Sequence, residues 1–196
     1  MLDLNSDQWI NVQNSFPNAD AIKVYGHNRY WTMSVFKVGP FKMAYPDFIS
    51  GNEKIDEEYI NCTILEAKKL GVDVIRFQGK FVPTQKETKK ILSQGTIKIE
   101  DLNFWRKNQK EKAKRTRNRK SKSRISIRKG TADDGLAIYT MYNNTIKRNN
   151  GSLRYTQAYF TALSAEAAWI ATIDDKPCAF VCVGFQETRG VYLHGG

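Results

Sequence analysis

The strongest constraint in this sequence is a block of positive charge at residues 106–129. Thirteen lysines and arginines lie there against a single acid, Glu111, so the block carries a net charge of +12. The whole chain of 196 residues has a net charge of +11, which leaves the remainder close to neutral at −1. Lysine and arginine at this density do not form a core. The block therefore predicts an exposed connection between two packed parts, where an acidic partner would bind.

Residues 1–102 are predicted to form the first packed part. Ser6 or Asp7 can cap a short opening helix, which ends at Pro17. Alternating apolar residues then indicate three strands joined by tight turns, which form an antiparallel meander. These strands are predicted at 21–25, 30–38 and 41–45, followed by helices at 53–70 and 84–95 and strands at 72–78 and 96–100.

Residues 103–123 are predicted as a basic connecting helix because they are mostly good helix formers. Residues 124–196 are predicted as the second part, in the order β-α-α-β-β-β. Its strands are predicted at 123–128, 168–173, 178–186 and 190–194, and its helices at 131–149 and 155–164. Both parts contain a three-stranded meander beside helices, which indicates an internal duplication. The fold class is therefore α/β (α+β), with mostly antiparallel mixed sheets and flanking helices.

Several classes of protein are disfavoured by composition. The three cysteines, Cys62, Cys178 and Cys182, are too few for a disulfide framework, and together with His27 and His194 they show no zinc-ligand spacing. No metal is expected. No apolar run approaches the roughly 20 residues that cross a bilayer. The N-terminus lacks the basic and apolar regions of a signal peptide, so a cytoplasmic location is expected.

A series of short patterns from Trp105 to the end of the chain resembles the Fem-type transferases of the GNAT superfamily. The basic helix and the following strand come first, then an aromatic-rich helix with an arginine before a small loop, a Tyr-Phe pair, an apolar hairpin and an aromatic strand ending in Gly-Gly. In this sequence these patterns lie at 105–110, 115–118, 125–130, 139–145, 147–151, 159–160, 169–172 and 191–196. Residues 1–100 fit the family by element order and by a Gly-Val-Asp-Val-Ile-Arg-Phe strand after a helix.

The resemblance implies two tandem GNAT-like units, the second of them incomplete. Fem-type proteins continue past the Gly-Gly turn into a helix, and GNAT enzymes bind the phosphates of the acyl donor at a helix N-terminus after the fourth strand. The sequence ends where that helix would begin. A partner chain that completes the second unit is one consequence, and an inactive fragment is another.

The function that the resemblance implies is acyl or aminoacyl transfer to a substrate amine on a cell-wall precursor, a glycan or an amino sugar. The donor would be aminoacyl-tRNA, acyl-CoA or an acyl-carrier thioester, used as a co-substrate, with no tightly bound cofactor. Partners would be tRNA or a pyrophosphate-containing precursor, with peripheral contact to a membrane surface. Direct attack of the amine is expected, since no cysteine or serine nucleophile lies beside a base.

Candidate site residues follow from the same patterns. Tyr192 and His194 are predicted as catalytic residues, because two residues at alternate positions of a strand share one face, His194 would titrate near neutrality and Tyr192 can donate a hydrogen bond. Substrate-binding candidates are Arg148, Arg154, Lys23 and Arg29, whose charges suit a carboxylate or phosphate, and Tyr159, which resembles the family's aromatic residue before the hairpin. Anion- or tRNA-binding candidates are Arg106, Lys107, Lys110, Lys114, Arg115 and Arg117.

Each candidate has an alternative interpretation. The basic helix also suits a solvated linker, or a polyanion- and nucleic-acid-binding module whose flanking parts are only scaffold. Arg148 also suits a cation that interacts with the carbonyls at a helix C-terminus. Tyr159 also suits a core residue, and His194 a solvated residue near a chain end.

Overall fold

The fold is a mixed α+β arrangement, which confirms the predicted class at that level. A computed structural model describes residues 1–46, 54–77, 80–81, 124–186 and 189–196. The predicted helix at 84–95, the strand at 96–100 and the basic helix at 103–123 lie outside the described residues. The division into tandem GNAT-like units stays a prediction.

Four α-helices and ten strands are present in the described residues. The helices are α1 (Asp7–Asn14), α2 (Glu57–Lys69), α3 (Gly135–Arg148) and α4 (Gln157–Ala167), with a 3-10 turn at Ala132–Asp134 directly before α3. The strands are β1 (Ala19–Tyr25), β2 (Tyr30–Val38), β3 (Phe41–Pro46), β4 (Lys54–Ile55), β5 (Val74–Ile75), β6 (Lys80–Phe81), β7 (Ile125–Lys129), β8 (Ala168–Ile173), β9 (Lys176–Gln186) and β10 (Arg189–Gly195).

The first sheet has the order β1-β2-β3-β5. Its first three strands form the predicted antiparallel meander, with Gly39 at a φ of 61° in the second turn. The predicted strand at 72–78 is shortened to β5, which pairs in parallel with β3. The helix predicted from residue 53 begins at Glu57, because the Asp56 side chain caps it by accepting from the Tyr59 N–H at 2.9 Å. Strands β4 and β6 form a separate parallel pair.

The second sheet has the order β10-β9-β8-β7 and is antiparallel throughout. The hairpin between β8 and β9 is the one predicted from sequence. Asp174 and Asp175 both have positive φ, at 47° and 62°, which is the conformation of a two-residue type I′ turn. Helices α3 and α4 lie between β7 and β8 in the chain, so the observed order β-α-α-β-β-β agrees with the prediction.

Two hydrophobic cores are present in the described residues, and the N-terminal segment joins the second of them. The first core consists of Val24, Trp31, Met33, Val35, Ala44, Tyr59 and Ala67. The second core contains residues of α3, α4, β8 and β9, together with Leu2, Leu4, Trp9 and Val12 from the N-terminus. The predicted boundaries at 102 and 123 stay predictions, but residues 2–12 pack with the C-terminal half.

Residues 2–4 also link the two sheets through the backbone. The Leu4 N–H donates to the Phe185 carbonyl at 2.8 Å, and the Phe185 N–H donates to the Leu2 carbonyl at 2.7 Å. On the other side, the Thr32 hydroxyl of β2 donates to the Leu4 carbonyl at 2.9 Å. The N-terminal segment therefore contacts β9 of one sheet and β2 of the other.

The approach to α3 is fixed by a buried carboxylate. Asp134 accepts from both terminal nitrogens of Arg128, at 2.8 and 2.6 Å, and from the Thr131 N–H at 2.8 Å. The Arg128 guanidinium holds the pKa of Asp134 well below its usual range. This turn ends the strand and starts the helix, which is why the predicted helix at 131–149 is divided into a 3-10 turn and α3.

Replacing Asp134 with asparagine is expected to lower the free energy of unfolding by about 2 kcal/mol at pH 7, because the bidentate ion pair is lost and one of the two acceptor oxygens becomes a donor. The folded-state pKa is depressed, so this stabilisation is present above the ordinary pKa of about 4 and is lost as the pH falls below it. Urea denaturation at pH 7 and at pH 2.5 measures both effects. The exposed neighbour Asp133, changed to asparagine, is the control and should leave stability nearly unchanged. Equal losses in the two variants would contradict the role of the buried carboxylate.

Candidate functional site

An open cleft of about 590 Å³ lies where α3, the loop before α4 and the end of β10 meet. Helix α3 contributes one wall, the loop at 152–155 a second, and β10 the third. The residues that line the cleft are Tyr142, Ile146, Ser152, Leu153, Arg154, Tyr155, Leu193 and His194. Its volume is in the range of small-molecule sites.

Local backbone geometry brings the loop back over α3. Tyr142 and Ile146 are four residues apart, so they lie on one face of the helix. Asn150 has a φ of 51°, and the Gly151 N–H donates to the Ile146 carbonyl at 2.9 Å, which turns the chain at the helix end. The Arg154 N–H then donates to the Tyr142 hydroxyl at 3.4 Å. These contacts hold the 152–155 segment beside the helix.

The predicted shared face of Tyr192 and His194 is wrong. The register of β10 against β9 shifts between them, so that Tyr192 lies opposite Val183 and His194 opposite Cys182. Opposed residues of an antiparallel pair share a face, and neighbouring residues of β9 lie on opposite faces. This irregularity therefore turns His194 towards the core while Tyr192 remains 67 % exposed on the other face.

His194 lies in a group of aromatic rings. Its ring centroid is 4.6 Å from that of Tyr155 and 5.3 Å from that of Phe160, both in edge-to-face geometry. The hydroxyl of the buried Tyr159 lies 3.0 Å from His194 Nε2. Burial lowers the pKa of His194 to about 4, so the imidazole is neutral at pH 7. The expected titration of His194 near neutrality is therefore wrong.

The depressed pKa of His194 predicts a pH dependence of stability. The ordinary pKa is near 6.5 and the folded value about 4, so the unfolded chain binds more protons between these pH values. Stability is complete above pH 6.5 and should fall by about 3 kcal/mol as the pH drops towards 4. Urea denaturation at pH 7 and pH 4.5 measures this change. His194→Gln cannot titrate there and should lose most of the dependence; an unchanged dependence in that variant would rule out the buried imidazole as its source.

Of the other predicted substrate-binding residues, the structure brings Arg154 and Tyr159 to this region. Arg154 lines the cleft, and Tyr159, at 1 % exposure, lies behind His194. Its burial agrees with the alternative interpretation of a core residue, and its hydroxyl also contacts the cleft histidine. Arg148 is exposed at the end of α3 and is not among the lining residues.

Lys23 lies in β1 and Arg29 in the turn between β1 and β2, and both are held in ion pairs. The Lys23 ammonium is 2.8 Å from an Asp7 carboxylate oxygen. The Arg29 guanidinium donates to Asp56 at 2.6 Å and to Glu58 at 3.1 Å. Neither is among the residues that line the cleft. The predicted anion- or tRNA-binding residues, Arg106, Lys107, Lys110, Lys114, Arg115 and Arg117, lie outside the described residues.

Six of the eight lining residues were not predicted as site residues: Tyr142, Ile146, Ser152, Leu153, Tyr155 and Leu193. Tyr142 is only 7 % exposed, because most of its side chain packs in the second core. The signal that was present is the density of aromatic residues at 139–160, all of which belong to the second core or pack against it. This density does not predict that β10 lies against the same aromatic residues.

Two kinds of feature are absent from the described part of the chain. No three of its histidine, cysteine, aspartate and glutamate side chains are grouped as a metal ion would require. None of its helices is both long and apolar enough to cross a lipid bilayer.

No protein-family model matches the sequence, and no curated protein is significantly similar to it. The resemblance of residues 105–196 to Fem-type transferases therefore stays a prediction from sequence.

Proposed function

We propose that the protein is an acyl- or aminoacyltransferase that forms an amide on a substrate amine, with the cleft beside β10 as the site of transfer. The observation that carries the proposal is the order of elements in the second sheet. Strand β7, helices α3 and α4, and strands β8, β9 and β10 follow one another in a single antiparallel sheet. This is the order that the resemblance to the GNAT superfamily predicts for the front of a unit.

The element order of the first half also agrees with the order that the resemblance predicts. Its meander, β1 to β3, is followed by α2 and then by β5. The family resemblance predicts a meander, a helix and a further strand in that order. This agreement supports the proposal at the level of fold alone, and the function itself rests on the residues of the cleft.

The chemistry proposed for the cleft uses a neutral histidine. If the Tyr159 hydroxyl donates to His194 Nε2, then Nδ1 carries the ring proton. An N–H fixed in this tautomer can donate to the oxyanion that forms on the acyl carbonyl. His194 would be the catalytic residue and Tyr159 a positioning residue behind it.

The proposed reaction balances without a covalent intermediate on the protein. The neutral amine attacks the acyl carbonyl, a C–N bond forms, and the ester C–O or thioester C–S bond breaks. The proton lost by the amine ends on the departing hydroxyl or thiol. A histidine with a pKa of about 4 is a weak base, so donation to the oxyanion suits it better than removal of the proton.

The test is transfer of a labelled group by the purified chain. One arm supplies a tRNA pool charged with labelled amino acids, and the other labelled acetyl-CoA and longer acyl-CoA thioesters. The acceptor is a peptidoglycan precursor with a free amine, and the same precursor with that amine acetylated is the control. Label in the amine-bearing acceptor alone supports the proposal, and the active arm identifies the donor. Absence of transfer in both arms contradicts it.

A second function, polyanion binding, is favoured by the +12 charge of residues 106–129. Neutralisation of phosphates by several lysines and arginines gives binding that weakens steeply with salt. Titration with tRNA, duplex DNA and heparin over a range of salt concentrations distinguishes polyanion binding from the transferase function. Equal affinity for all three favours a generic polyanion module, and saturable preference for aminoacylated tRNA favours the transferase.

A further inference from the structure

The cleft lining carries a positive charge and no negative one. Arg154 is the one permanently charged side chain among the lining residues, and it is exposed to solvent. Within the described parts of the chain, its guanidinium forms no ion pair. Ser152, two residues earlier in the same loop, also lines the cleft and carries a hydroxyl donor. His194 is neutral, and none of the eight lining residues is an acid.

The rest of the lining is apolar or aromatic. The rings of Tyr142 and Tyr155 meet edge to face at a centroid distance of 6.0 Å, and Tyr155 meets His194 in the same way. Leu153 is 52 % exposed at the rim. A wall of this kind favours a flat or branched apolar group.

We propose that the cleft binds an apolar carboxylate, with its aromatic or branched part against the Tyr142–Tyr155 wall and its carboxylate between Arg154 and Ser152. A guanidinium can donate two parallel hydrogen bonds to a carboxylate, and the hydroxyl supplies a third. A protonated amine on the same group would find no acid in the lining. This inference rests on the proposed function only in assigning the same cleft, and the carboxylate it concerns is not the acyl carbon of the donor, which is an ester or thioester before transfer.

Equilibrium binding in the absence of any donor tests the inference. The probes are 3-phenylpropionate, its uncharged analogue 3-phenylpropionamide, and the cation 3-phenylpropylamine. Isothermal titration calorimetry with the full chain is expected to show that the carboxylate binds at least about tenfold more tightly than either analogue. Equal binding of the carboxylate and the amide would overturn the inference.

Two charge-removing variants locate the effect. Arg154→Gln is expected to abolish the preference for the carboxylate. Lys147→Gln removes one positive charge from an exposed position near the end of α3, outside the lining residues, and should keep the preference. An equal loss in both variants would mean that overall charge binds the probe and would overturn the proposed site. These results are independent of the transfer assay, so a failure here leaves that assay to judge the function.

Discussion

Replacing Gly135 with alanine is expected to lower the free energy of unfolding by about 2–3 kcal/mol, although alanine ordinarily favours a helix over glycine. The backbone at Gly135 is helical, with φ of −55° and ψ of −42°, so any residue could adopt it. The glycine is required by contact instead. A Cβ at this position would lie 2.3 Å from Thr161 Oγ1 and 2.6 Å from Thr161 Cα, on α4.

The Thr161 Cα cannot move away by a side-chain rotation, so the two helices must separate. Separation would loosen the second core, which includes Ile138 on α3 and Phe160 on α4, both fully buried. Urea denaturation measures the loss. Gly190→Ala is the control, because its nearest atoms would be 3.7 Å away at ordinary contact distance. Thr161→Ala should not rescue Gly135→Ala; wild-type stability of the single variant would refute this packing of α3 against α4.

Replacing Leu4 with alanine is expected to cost about 3 kcal/mol, because the side chain is 2 % exposed in the second core and its removal leaves a cavity. Leu65 is 56 % exposed on α2, so Leu65→Ala is the control and should change stability by less than about 0.5 kcal/mol. Thermal or urea unfolding of the two variants makes the comparison. Equal losses would show that the N-terminal segment is not packed in the core.

A partner substitution tests the same contact more sharply. A Cβ at Gly184 of β9 would lie 2.4 Å from Leu4 Cδ2, so Gly184→Ala alone should also destabilise the protein. In the double variant the new methyl group enters the space left by the leucine. We expect its total loss to be smaller than the sum of the two single losses by at least about 1 kcal/mol. Strict additivity would contradict the contact between residues 4 and 184.

The described strands and helices follow from local patterns to a large extent. The meander, the β8–β9 hairpin and the β-α-α-β-β-β order were all predicted, because alternation and turn residues act over a few positions. The 3-10 turn before α3 was not predicted, because it depends on the ion pair between Arg128 and Asp134, which are six residues apart. The place of residues 2–12 in the second core also could not be predicted, because it depends on contacts with residues more than 120 positions away.

The candidate site was predicted less completely than the fold. Arg154, Tyr159 and His194 were named and lie in or behind the cleft. Tyr192 was named with His194 on the assumption of an unbroken strand, and one irregularity in the register separates them. Strict alternation cannot reveal such a position, because the extra residue is recognised only against its partner strand.

His194 is the group proposed to act in the cleft, and the proposed transfer depends on it more than on any other residue. The measurement that tests it most directly is the initial rate of labelled transfer by wild type, His194→Gln and Tyr192→Phe, with folding checked for each variant. We predict a loss of about 100-fold for His194→Gln, the effect of removing one donor to an oxyanion, and a wild-type rate for Tyr192→Phe. A folded His194→Gln variant that transfers at the wild-type rate would contradict the account.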